Sequence, residues 1–137
     1  MENYIIEKDL KVLYVEAVSF PEGVGEAFQK LHSLLSDASK RVQYGISYPN
    51  ENRQIVYKAG VEESFPGEGA QLGCKLFIVR KGTYASEWLS DWKKDESIIG
   101  RTFQKLLQHP DLDPKGYCLE IYQNEKDVRC LVPLVGL

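Results

Sequence analysis

Gly25-Glu26-Ala27-Phe28-Gln29-Lys30-Leu31 returns nearly intact as Gly100-Arg101-Thr102-Phe103-Gln104-Lys105-Leu106, at an offset of 75 (25 to 100). Five of the seven positions are identical. A hydrophobic period alone does not produce this match, because Gln29 and Lys30 repeat as faithfully as the apolar positions. The stretch predicts an internal duplication. Two copies are too few for a solenoid, so the expectation is two halves facing each other across a pseudo-twofold axis.

Working outward, Tyr48-Pro49-Asn50-Glu51 aligns with Tyr122-Gln123-Asn124-Glu125, an offset of 74 (48 to 122). Upstream, Leu13-Tyr14-Val15 aligns with Leu76-Phe77-Ile78, and the offset falls to 63 (13 to 76). That drop predicts an insertion in the second copy, over residues 83–97, which hold both tryptophans.

Each copy reads strand, helix, strand, strand. Residues 10–20 alternate and are rich in Val and Tyr, which favours a strand. Val24, Ala27, Phe28, Leu31, Leu34 and Leu35 then follow helical spacing. Residues 43–48 and 54–61 flank Pro49-Asn50-Glu51-Asn52, a hairpin signal. The second copy predicts a strand over 75–80, a helix over 98–108 ended by Pro110, and a hairpin of 117–122 with 128–134. Residues 62–73, rich in Gly and Glu, read as a connecting loop. The expected fold is α+β: duplicated βαββ units (about 9–61 and 74–135) within one domain, 1–137. They form an antiparallel sheet of about eight strands with helices on one face and a ligand groove at the midline.

Composition narrows the functional classes. The net charge is −3, the pI about 5.4, and basic residues are scattered among acids. A nucleic-acid binder shows a basic patch and a higher pI, so no direct nucleic-acid contact is expected. No apolar run approaches the roughly 20 residues of a membrane span, and the first residues lack a signal-peptide pattern. Three cysteines, Cys74, Cys118 and Cys130, fit neither a disulfide framework nor a zinc site. The expectation is a cytoplasmic protein with reduced thiols, no metal and no cofactor.

The most informative chemistry lies in Tyr117-Cys118-Leu119-Glu120-Ile121-Tyr122. Alternation puts Tyr117, Leu119 and Ile121 on one face and Cys118, Glu120 and Tyr122 on the other. The apolar set suits the helix-covered face, leaving Glu120 on the open one. A mid-strand carboxylate is costly to bury unless it is paired, hydrogen-bonded or waiting for a cation. With Tyr44, Tyr48, Cys118 and Tyr122 around it, Glu120 would floor an aromatic groove suited to apolar or cationic organic molecules. A solvated strand face explains the same residues. Trp88 and Trp92, four apart, would form one patch on a short helix. That patch is either a rim over the groove or the anchor of the insertion.

The duplicated layout, the Glu120-Ile121-Tyr122 strand and the closing Val132-Pro133-Leu134 resemble the GyrI-like family, the effector-binding domains of bacterial transcription activators. The resemblance implies two pseudo-symmetric halves that bind hydrophobic, often cationic, compounds between them. It implies that Glu120 matches the glutamate supplying negative charge in multidrug-sensing members. Some members sit behind a helix-turn-helix domain. Others stand alone, and a subset of those is associated with hydrolysis of cyclopropane-bearing toxins. This chain carries no helix-turn-helix portion and departs from the pattern at Trp88 and Trp92. Three readings stay open: a small-molecule-binding module, a hydrolase in which Glu120 activates water with Tyr122 or Tyr48 as proton donor, and a module docking on a partner protein such as a regulator.

Overall fold

The computed structural model describes residues 1–136. Eight strands form one antiparallel sheet in the order β1-β6-β8-β7-β3-β4-β2-β5. They are β1 (Glu2–Ile6), β2 (Leu10–Glu16), β3 (Gln43–Pro49), β4 (Ile55–Glu62), β5 (Lys75–Val79), β6 (Gly82–Leu89), β7 (Cys118–Tyr122) and β8 (Val128–Pro133). Three helices accompany them: α1 (Val24–Leu34), the single turn α2 (Glu68–Gln71) and α3 (Ser97–Leu106). The strand order is unchanged when β1–β4 are exchanged with β5–β8. The central pair, β3 with β7, therefore lies on the midline.

The halves interlock. β1 pairs with β6 of the second half, and β5 pairs with β2 of the first. Each outer strand thus belongs to the opposite half's layer. The unit is ββαββ, one strand longer than the sequence pattern predicts, because the short runs Glu2–Ile6 and Gly82–Leu89 are strands in their own right. β6 is the counterpart of β2, and β5 the counterpart of β1. The expected insertion over 83–97 is consequently not one: it comprises most of β6, a short turn of 3-10 helix (Trp92–Lys94) and the start of α3. Trp88 lies on strand β6 and Trp92 in the turn, so the two do not form a helical patch. The expected loop over 62–73 contains α2, whose Glu68 is held by Arg41.

α1 buries Ala27 and Leu31 against β2 and β4, and α3 buries Phe103 and Leu106 against β6 and β8. Both helices cover the outer face of the curled sheet. Its inner face closes on itself, with Ile6, Val12, Ile46, Val79, Leu119, Ile121 and Leu131 in one apolar cluster. Each such side chain contributes about 1.5–3 kcal/mol on burial. Both faces are therefore core. Among the described residues no helix is long and apolar enough to cross a membrane.

Candidate functional site

β3 and β7 run side by side with Gly45 opposite Glu120. Gly45 has no side chain, and the Glu120 carboxyl folds over it. A Cβ built at Gly45 would collide with Glu120 Oε1 and the Tyr57 hydroxyl. Only glycine leaves the room. Tyr57 comes from β4, opposite Ser47 of β3, and donates to Glu120 Oε1 at 2.7 Å. Tyr122, two residues along β7 and on the same face, donates to the same oxygen at 2.6 Å.

Aromatic rings roof this carboxyl. Phe28 of α1 stands edge-on to Tyr57 (6.2 Å, 67°) and to Tyr122 (6.1 Å, 85°). Phe20 stacks on Tyr57 at 5.8 Å, and Trp92 tilts against Tyr122 at 5.6 Å. The indole Nε1 of Trp92 is buried and has no hydrogen-bond partner among the described residues. The site is thus a closed aromatic cluster between α1 and the turn that leads into α3.

Glu120 is buried and, among the described residues, no cationic side chain comes within ion-pair distance. Burial pushes its pKa above the ordinary carboxylate value, and the hydrogen bonds from Tyr122 and Tyr57 only partly offset this. Burial, and then the neighbouring Glu120, raise both Tyr57 and Tyr122, so the phenols stay protonated and donate. Cys118 shares the face, and burial followed by the charge of Glu120 raises it to about 11. It is a neutral thiol at physiological pH and a poor nucleophile.

The structure separates the predicted site residues. Glu120, Tyr122, Cys118 and Trp92 share the outer, helix-covered face. Tyr44 and Tyr48 project to the inner face, where Tyr48 accepts a 2.6 Å hydrogen bond from Lys58. Trp88 also points inward and stacks with Arg129. The single groove joining Tyr44, Tyr48 and Trp88 to Glu120 therefore does not exist. The expected faces are inverted: Leu119 and Ile121 pack into the inner core, and the Glu120 face meets the helices. The alignment of Tyr48 with Tyr122 also falls on opposite faces.

Sequence reasoning missed Gly45, Tyr57, Phe28 and Phe20. Phe28 sits inside the repeated heptapeptide, which was a usable signal. Nothing local connects Gly45 or Tyr57 to Glu120.

The fold defines a class: an α+β domain with a curled eight-stranded sheet, halves related by the chain path, and a carboxyl at the midline. Solved structures share the fold over nearly the whole chain. The chain is similar to SAV2435 bound to tetraphenylphosphonium (TM-score 0.71, 11% identity, 99% of this chain and 95% of that one). It is also similar to a Staphylococcus aureus protein assigned to bacterial transcription regulation (0.63, 10%, 99% and 99%) and to a hydrolase from Listeria innocua (0.59, 10%, 97% and 90%). No protein-family model and no curated protein matches the sequence. At these identities the likeness is one of fold. It is consistent with the GyrI-like effector-binding layout expected from the sequence.

Proposed function

We propose that this chain binds an apolar, cationic aromatic small molecule at Glu120, between α1 and the Trp92 turn. One observation carries the reading: a buried carboxyl with no cationic partner among the described residues lies beneath three aromatic rings, Phe20, Phe28 and Trp92, besides its two tyrosine donors. A cation placed there gains charge attraction in a low-dielectric setting and ring contacts of roughly 0.5–2 kcal/mol each. The fold shared with a protein solved with tetraphenylphosphonium supports the same chemistry. The rings touch in this structure, so the ligand displaces one of them on binding. Trp92, in a short turn of 3-10 helix rather than a strand or long helix, is the ring proposed to move. An origin of the halves by duplication is supported by the matched heptapeptides, which fall in α1 and α3 at the offset of 75 that also relates Gly45 to Glu120.

The test is tryptophan fluorescence with tetraphenylphosphonium and neutral triphenylphosphine oxide. Trp88→Phe is used as background, leaving Trp92 as reporter. Saturable quenching by the cation that Glu120→Gln weakens tenfold or more, against an unchanged response to the neutral compound, is the expected result. Equal loss for both compounds, or no loss, removes the role of Glu120.

A hydrolytic reading rests on the same carboxyl. A glutamate with a raised pKa beside two phenols is suited to proton transfer. Turnover that persists in Glu120→Ala would eliminate it.

A further inference from the structure

Alternation in β3 and β7 supplies a second face, and that face has an opening of its own. Where the turn between β1 and β2 meets β3 and β7, a cavity of about 320 Å³ lies at the mouth of the curled sheet. Its walls include Ile6, Leu10 and Ile121, its two phenols are Tyr4 and Tyr44, and Val42 stands at its rim. The volume is at the small end of ligand sites, which suits one or two rings.

Tyr44 is buried, yet among the described residues its hydroxyl has no hydrogen-bond partner and is not among the sealed-off atoms. Burial, helped by nearby Glu62, pushes it up to about 12, so it is a neutral donor and acceptor. The charges nearby do not select an ion. Glu7, Lys8 and Glu62 are exposed and mixed in sign, and Arg129 over the Tyr4 ring is already paired with Glu2. A charged ligand pressed against Ile6, Leu10 and Ile121 would lose water without gaining a buried counter-ion.

We propose that this cleft is a second small-molecule site, taking a neutral one- or two-ring phenol whose ring lies on Ile6, Leu10 and Ile121. The ligand hydroxyl exchanges a hydrogen bond with Tyr44. The site is separate from Glu120, because Ile121 and Glu120 project from opposite faces of β7. It stands whether or not a cation binds at Glu120.

The experiment titrates 2-naphthol, 2-methoxynaphthalene and 2-naphthoate by calorimetry, with amide chemical shifts locating the contact. The expected result is saturable binding of 2-naphthol that shifts Leu10, Tyr44 and Ile121, with the carboxylate at least tenfold weaker. Tyr44→Phe removes one oxygen and keeps the ring, and should weaken 2-naphthol about fivefold, the scale of one neutral hydrogen bond. Val42→Trp fills the rim from an exposed position and should abolish binding, while Glu120→Gln leaves it unchanged. Equal affinity in Tyr44→Phe overturns the hydroxyl assignment. No saturable binding of any of the three compounds, indifference to Val42→Trp, or loss in Glu120→Gln overturns the site itself.

Discussion

Glu68 and Glu120 are almost equally buried, at 8% and 7% exposure, and the fold treats them in opposite ways. Glu68 receives both terminal nitrogens of Arg41, each at 2.8 Å, and the Ser64 backbone N–H at 2.9 Å. Those hydrogen bonds, led by the guanidinium, outweigh burial and hold its pKa down to about 2. Glu120 receives only two phenols on one oxygen, and burial wins. A fork of cationic donors stabilises the ionised form, whereas neutral donors leave much of the desolvation cost in place. The first arrangement is a structural clasp between the β4–β5 connection and the start of β3. The second is a buried carboxyl that, among the described residues, has no cationic partner.

The largest expected effect comes from making Glu68 resemble Glu120. Arg41→Met leaves a buried carboxylate with the Ser64 N–H but no cation and should cost about 2–4 kcal/mol in urea unfolding at pH 7. The loss should shrink toward acid pH. A carboxyl lowered on folding contributes stability that is present above its unfolded pKa and disappears as pH falls, here from about 4.5 toward about 2. A mutant as stable as the wild type at pH 7 would show that the clasp contributes nothing.

Next in size is the glycine that makes room for Glu120. Gly45→Ala overpacks the junction and should cost about 1–3 kcal/mol, with the Tyr57–Glu120 hydrogen bond broken. Loss of stability smaller in Gly45→Ala/Glu120→Ala than in Gly45→Ala alone would locate the strain at the carboxyl. Additive losses would place it elsewhere.

The smallest effect has the opposite sign. A carboxyl whose pKa is raised on folding contributes stability below its unfolded pKa and loses it as pH rises toward the folded value. Glu120→Gln keeps an acceptor for both tyrosines and removes that loss. It should match the wild type at pH 4 and exceed it by on the order of 1 kcal/mol at pH 8. Thermal melts at the two pH values decide this, and a mutant less stable at pH 8 than at pH 4 relative to wild type reverses the argument.

Much of this was legible in the chain. The heptapeptide located both long helices, the turn residues located both hairpins, and alternation placed Glu120, Cys118 and Tyr122 on one face. Which face was not legible. Assigning faces by polarity assumes one side is wet, and here the sheet is buried on both sides, by helices outside and by its own curl inside. Leu119 and Ile121 therefore signalled a core without saying which one. β1 and β6 were lost for a related reason. β1 is short, and β6 carries Thr, Ser and Glu between its apolar positions. Both gain their strand character from partners in the other half.

The sequence by itself determined the class of fold, the two-part layout and the presence of a mid-strand carboxyl flanked by tyrosine, because these depend on periods and turns within a few residues. Tertiary structure decided that Gly45 faces Glu120, that Tyr57 and Phe28 close over it, that no described cationic side chain reaches it, and that Tyr44 opens onto a separate cleft. Those facts depend on strand register between distant segments, as where Gly45 meets Glu120, 75 residues further along the chain. A shift of one residue there would send every side chain to the other face.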